Sequence, residues 1–314
     1  MNKIIMCTGE EKSFDNDMTM FKSNKYNIEH FEMFEYNNIF HKVIRNFGTL
    51  FTIFEINKKL KNNIKNANVI IIFDSVVKNS FIKLIRKINP SIRIIIYFRN
   101  KFSTVKKRNI NIEKLNKLNV EYWTYNLNDA KKYEFNYNNQ FWNLNFLKKL
   151  SLNNAIKFDM VFLGRNKNRV EILNKLDAFC KKNYLKNFFY LVPYSNNDFD
   201  KNKNNEFLKY DKYLEIINSS NIIIDLVTQE NYGLTLRPLE SMFLQKKIIT
   251  NYIQIKDYDF YDKNNVFIIG IDDENRLNDF IKSDFKQLNN EIMYKYTYDG
   301  WLDNFNMEGD FYAN

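Results

Sequence analysis

Two short segments combine the residue types that hold a pyrophosphate. The first is Gly164-Arg165-Asn166-Lys167-Asn168-Arg169, set between an apolar β-branched run and a helix-forming stretch that begins near Val170. Three cations crowded at a helix start work against the helix dipole unless an anion sits beside them. The second is Tyr232-Gly233-Leu234-Thr235-Leu236-Arg237-Pro238-Leu239-Glu240, which follows a buried-strand pattern ending at Asp225. Gly233 permits backbone geometry that is costly for other residues, Thr235 is a natural N-cap, and Pro238 is tolerated only in a first helical turn. Together they place a helix N-terminus at the carboxyl end of a parallel strand. Unpaired amides, the positive end of the helix dipole and the Arg237 guanidinium all favour a diphosphate there. Glu240, about one turn further on, is placed to accept hydrogen bonds from two ribose hydroxyls. Pro193 and Tyr194, after another apolar run, offer a platform for a nucleobase. The competing reading is structural throughout: a capped helix with a solvated Glu240, an Arg237 surface ion pair and a plain surface Tyr194. The electrostatic argument requires the turns at Gly164 and Gly233 to converge on one crevice.

The elements that would position these residues are legible as alternating β-branched runs and amphipathic stretches, the pattern of parallel sheets built from βαβ units. It occurs twice. The first series predicts strands at Lys3 to Cys7, Asn68 to Phe73, Arg93 to Phe98 and Glu121 to Thr124. A helix over Asn79 to Ile88 carries Phe81, Leu84, Ile85 and Ile88 on one side and is ended by Pro90. The aromatic-rich stretch from Phe14 to Phe54 lacks this regularity and reads as a helical insertion, spanning about 14–60 in the domain plan, with His30 and His41 as helix residues. The second series predicts strands at Asp159 to Leu163, Phe188 to Val192, Asn221 to Leu226, Lys247 to Asn251 and Val266 to Ile271. One or two helices follow Asp272, with an amphipathic end near Trp301 to Phe305 packing back on the first domain. The expected plan is therefore α/β: a Rossmann-like domain over 1–152, a polar linker around Ser151 to Lys157, a second Rossmann-like domain over 153–290, and a returning C-terminal helix in 291–314.

Composition narrows the classes. The chain has 314 residues, enough for two domains, and 45% of them are apolar and 17% aromatic, which excludes a disordered protein. Lys plus Arg number 47 against 37 for Asp plus Glu, a formal net charge of +10. The lysines run throughout the chain rather than gathering in one block, so the excess argues against a dedicated nucleic-acid binder and is compatible with a basic face set against anionic lipid or phosphorylated substrates. Cys7 and Cys180 are too few for a disulfide framework or zinc cluster and suit a reducing cytoplasm. No signal-peptide pattern opens the chain, and the longest apolar strings, such as Val69 to Phe73, are strand-sized. The expected location is cytoplasmic, with peripheral attachment to the inner face of the plasma membrane.

The segment Asp159-Met-Val-Phe-Leu-Gly-Arg-Asn-Lys-Asn-Arg169, the segment Gly233 to Glu240 with Lys246-Lys-Ile-Ile-Thr-Asn251 behind it, and Asn126-Leu-Asn-Asp-Ala-Lys-Lys-Tyr133 continuing to Phe141 and Trp142 together resemble bacterial glycosyltransferases of the GT-B fold. That family serves lipopolysaccharide-core, O-antigen, capsule and exopolysaccharide pathways. The likeness runs from about Val69 to Trp301 and is strongest in the second half. It implies two Rossmann-like domains facing a cleft, with the nucleotide sugar on the second domain and a glycan or lipid-linked glycan acceptor on the first. The donor would be a UDP-hexose, UDP-galactofuranose included. One departure stands out: many GT-B enzymes carry two glutamates eight apart around the donor, whereas the position eight before Glu240 is Tyr232, and Glu230 is displaced by two.

The resemblance implies a leaving diphosphate stabilised by helix amides and cations, with no cofactor and no metal. Asp257-Tyr-Asp259 and Asp198-Phe-Asp200 have the D-x-D spacing that holds manganese in other glycosyltransferases, but both lie in Asn- and Asp-rich loops. An inverting reaction needs a carboxylate of the first domain to take the acceptor proton. Glu10, Glu11, Asp15 and Asp74 are the candidates, with Glu11 and Asp74 preferred, although each also reads as an ordinary solvated or structural carboxylate. Two rivals remain: a sugar-nucleotide epimerase of the same fold, which keeps its nucleotide, and a non-catalytic protein whose basic surface binds nucleic acid or lipid.

Overall fold

A computed structural model describes residues 2–9, 23–33, 58–106, 110–150, 155–192, 208–228 and 233–307. The chain divides into two units, one made of 1–143 with 295–314 and the other of 144–294. Each contains one wholly parallel sheet. Runs such as Val-Ile-Ile-Ile-Phe and Arg-Ile-Ile-Ile-Tyr-Phe become central strands because β-branched side chains suit the pleat and both faces are covered.

The strands of unit 1 are β1 (Lys3–Thr8), β2 (Asn27–Glu32), β3 (Val69–Phe73), β4 (Arg93–Phe98), β5 (Val120–Thr124) and β6 (Asn136–Tyr137), in the order β2-β1-β3-β4-β5-β6. Its described helices are α1 (Lys58–Lys65), α2 (Asn79–Ile88), α3 (Phe102–Lys106), α4 (Ile112–Asn116) and α5 (Leu127–Tyr133). Leu60, Ile64, Phe81, Ile82, Ile85, Val105 and Leu115 from α1 to α4 pack on Ile5, Ile70, Ile72, Ile94 and Ile96, one face of the sheet.

Unit 2 begins with α6 (Asn145–Lys149) and has strands β7 (Phe158–Arg165), β8 (Asn187–Val192), β9 (Ser220–Asp225), β10 (Lys247–Thr250) and β11 (Val266–Ile268), ordered β11-β10-β9-β7-β8. Its other α-helices are α7 (Val170–Lys182), α8 (Tyr210–Asn218), α9 (Leu236–Phe243), α10 (Leu277–Lys282) and α11 (Asn290–Lys295). The last helix, α12 (Tyr298–Asp303), belongs to unit 1. There Trp301 is fully buried against Phe73 and Tyr97, Phe305 meets Trp123, and Asn138 donates to the Trp301 carbonyl at 3.0 Å. Each aromatic pair adds about 0.5–1.5 kcal/mol beyond area burial, so this segment completes the second face of the first sheet.

Two expectations are corrected, and one strand, β6, was not expected. His30 is a strand residue: β2 pairs in parallel with β1, His30 opposite Met6. The Asn-Ile-Glu-His-Phe-Glu run was unreadable as a strand because it lies at a sheet edge, half-buried, with polar residues at alternate positions. The rest of the expected insertion, including His41, lies outside the described residues. The two-residue β6 is too short to leave a sequence pattern. After Asp272 the chain forms a 3-10 turn and three short helices, not one or two.

Candidate functional site

Both sheets change winding direction beside their first strand, and in unit 2 that point lies between β7 and β9. Loops leaving adjacent strands in opposite directions open a crevice at their carboxyl ends, which is where α/β sheets bind ligands. β7 ends in Gly164-Arg165 and β9 ends in Asp225. After β7 the chain turns through Lys167 and Asn168, at φ 36 and 61°. Asparagine tolerates the left-handed region; lysine does so at a cost. The turn is pinned by Asn166 N donating to the Val192 carbonyl at 3.0 Å and Arg169 N to the Asn166 carbonyl at 2.8 Å.

The second terminus meets the first. Thr235 is extended at the N-cap of α9, but its hydroxyl donates to Asp225 Oδ2 at 2.9 Å rather than capping the helix, so the N-cap side chain leaves the first turn open. Arg237, in that turn, donates from Nη1 to Asp225 Oδ1 at 3.3 Å and from Nη2 to the Leu163 carbonyl at 2.6 Å. One guanidinium thus ties α9 to β7. A Cβ on Gly164 would lie 2.8 Å from Arg237 Nη2 and 3.5 Å from Arg169 Nη1. Phe162 lies under both arginines, with its ring centroid 5.5 Å from the Arg237 guanidinium and 5.6 Å from that of Arg169.

Arg165, Lys167, Arg169 and Arg237 lie close to one another at this turn, and Asp225 is the carboxylate that Arg237 pairs with and Arg169 feels. Burial, then the Arg237 charge, pull Arg169 down to about 10, with Asp225 acting the other way. Burial and the neighbouring arginines depress Lys167 also. Arg237 stands above its ordinary value: burial opposes its charge, but Tyr213, Asp225 and Glu240 outweigh it. The buried Arg169 Nε and Asn166 Oδ1 find no hydrogen-bond partner among the described residues. A buried donor on a cation that lacks a partner, amid further cations and a helix start left open by its N-cap side chain, is the chemistry of an anion site.

Glu240 is 2% exposed, and its oxygens accept from Tyr210 Oη at 2.8 Å and Tyr213 Oη at 2.5 Å. Those rings stack at 5.6 Å between centroids on α8. A solvated Glu240 is therefore not what the fold holds, and a ribose would have to share the lone pairs left over from two tyrosines. Burial raises the Glu240 carboxyl; the Tyr213 bond lowers it. Removing that bond raises the folded-state value further, and the resulting loss of stability belongs to the ionised form. Tyr213→Phe is therefore expected to cost about 1–3 kcal/mol near pH 8 and less near pH 4, where the carboxyl is largely protonated. Denaturant titrations at both values decide it; an equal cost would mean that the hydroxyl does not act through Glu240.

Gly233 and Leu234 are buried at the entrance to α9. Asp74 is 2% exposed at the end of β3, its oxygens accepting from Arg99 N at 3.1 Å and Asn100 Nδ2 at 2.9 Å, so it braces the next loop of unit 1. Glu10, Glu11, Asp15, Pro193, Tyr194, Asp198, Asp200, Glu230 and Tyr232 lie outside the described residues. Asp257 ends a 3-10 turn, and among the described residues no group of three His, Cys, Asp or Glu is placed to hold a metal. Sequence reasoning missed Asp225 as a site residue, though an aspartate closing a buried Ile-Ile-Ile strand is a readable signal. Tyr210 and Tyr213 carried none.

No protein-family model and no curated protein sequence matches the chain. Among solved structures, an alpha-glucosyltransferase in complex with UDP and a 13-mer DNA containing a central A:G mismatch superposes with a TM-score of 0.55 at 13% identity, over 96% of this chain and 92% of that one. A 3-phosphoglycerate dehydrogenase of Entamoeba histolytica with bound NAD+ reaches only 0.24 at 12% identity, over 86% and 87% of the two chains, too low for the folds to correspond. The chain thus has two parallel α/β units and shares the overall fold of the alpha-glucosyltransferase.

Proposed function

We propose that the protein is a metal-independent glycosyltransferase that holds a nucleoside diphosphate sugar in the β7/β9 crevice of unit 2. The observation that carries this reading is the convergence of Arg169 and Arg237 on Gly164, with Arg165 and Lys167 in the same cluster of cations, beside the start of α9 that its N-cap side chain leaves open. Breaking the glycosidic bond leaves negative charge on the diphosphate. Preorganised amides and cations lower that barrier without reorganising. The donor is a UDP-hexose, UDP-galactofuranose included, and the acceptor a surface glycan, free or lipid-linked; both specifics rest on the sequence resemblance. The acceptor proton goes to a carboxylate of unit 1. Asp74 already accepts two hydrogen bonds, which makes Glu11 the better candidate.

A second acceptor reading has one observation behind it. The alpha-glucosyltransferase of the same fold was solved with DNA, and this chain carries a net charge of +10, so a nucleic-acid acceptor belongs in the assay. An epimerase would convert the donor with no acceptor present, whereas a transferase releases UDP and enlarges an added acceptor.

UDP is expected to raise the melting temperature in the presence of a chelator. The double variant Lys167→Gln, Arg169→Gln is expected to lower UDP affinity about 100-fold, two charge-assisted contacts at about 1.5 kcal/mol each. Titration calorimetry checks this. Undiminished UDP binding in the double variant would remove the diphosphate from this crevice.

A further inference from the structure

Although lysines run throughout the chain, acids do not. Residues 58–119 contain 16 Lys and Arg against 2 Asp and Glu, and the remainder contains 31 against 35. The whole positive excess therefore sits in one stretch of unit 1. Within it α2 lies between α1 and α4 and touches both, and all three turn their apolar sides onto one face of the first sheet. The opposite sides expose Lys61 and Lys65, Lys83 and Lys87, Lys114 and Lys117. None of the six makes an ion pair among the described residues, and Glu113 is the sole acid of the three helices. Each pair is three or four residues apart, a spacing at which like charges repel along a helix. Six unpaired lysines on one helical layer are a repulsive arrangement that an anionic partner relieves.

We propose that this face of unit 1 docks on an anionic lipid surface. The side chains select that partner. Lysine is a compact, strongly hydrated point charge suited to a diffuse field of headgroups, whereas nucleic-acid surfaces draw on arginine forks and aromatic platforms. The one arginine of these three helices is committed: Arg86 donates to the carbonyls of Leu118, Pro90, Ile92 and Asn119. No large exposed apolar side chain lies on these helices, and no described helix is long and apolar enough to cross a membrane. Binding is consequently electrostatic and salt-sensitive. It does not depend on the diphosphate site, which lies in the other unit.

Flotation of the full chain with vesicles tests the proposal. The protein is expected to float with phosphatidylglycerol-containing vesicles at low salt, to remain behind with pure phosphatidylcholine, and to be released as salt is raised. Each lysine removed should weaken partitioning about fivefold, so K65Q/K83Q/K87Q should bind roughly 100-fold more weakly, while charge-preserving K65R/K83R/K87R binds as the parent does. The melting temperature and UDP-induced shift of both variants serve as folding controls, and absent UDP binding in the parent would count against the glycosyltransferase reading alone. Failure of the parent to float, equal flotation of the glutamine variant, or displacement from vesicles by an equal phosphate concentration of duplex or single-stranded DNA would each overturn the lipid assignment.

Discussion

Replacing Arg237 by methionine is expected to cost about 3–5 kcal/mol of stability and to abolish the UDP-induced thermal shift. The stability loss comes from Asp225, whose side chain is 1% exposed and would retain, among the described residues, only the Thr235 hydroxyl as a hydrogen-bond partner. A buried carboxylate stripped of its cation pays the desolvation penalty without the attraction that offset it. The Leu163 carbonyl loses its side-chain donor as well. Asp225→Asn combined with Arg237→Met removes the stranded charge, and most of the stability is expected to return in that double variant while UDP binding does not. Equilibrium denaturation with UDP titration separates the two effects. Recovery of both would show that Arg237 serves the fold and not the ligand.

Gly164→Ala is expected to produce the opposite balance, a modest loss of stability and a large loss of affinity. The added methyl would lie 2.8 Å from Arg237 Nη2, closer than real contacts allow, so the guanidinium must leave the Leu163 carbonyl. Overpacking of this kind costs about 1–3 kcal/mol. The added methyl also enters the space between Arg237 and Arg169, and UDP affinity should fall about 10- to 100-fold through weakened charge-assisted contacts. An unchanged dissociation constant would place the diphosphate away from Gly164, whatever the melting temperature does.

How much was readable can be judged residue by residue. The central strands were legible because Ile-rich runs buried on both faces leave a local signature, and helix Asn79–Ile88 was legible to the residue. The edge strand holding His30 was not, since half-buried polar positions mimic other structures. Thr235 has the residue type of an N-cap, yet its hydroxyl is drawn to Asp225, ten positions earlier, and the choice between those partners is made by where β9 ends. Glu240 read as either a ribose ligand or a solvated carboxylate because nothing in its neighbourhood of sequence announces two tyrosines thirty and twenty-seven residues upstream. The lysine face is marked in the sequence not by where lysines lie, which is throughout, but by where acids are missing.

By itself the sequence determined that two parallel-sheet units would form, and that cations and a helix start would follow strands β7 and β9, because periodicity, glycine, proline and charge act over a few residues. Only the tertiary structure decided that those two turns share one crevice, that Asp225 bridges Thr235 and Arg237, and that Glu240 is held between Tyr210 and Tyr213. The reason is that strand order is set by which apolar faces bury against each other across the whole unit. Partners brought together in that way can be 74 residues apart, as Arg237 and Leu163 are, with nothing local to mark them.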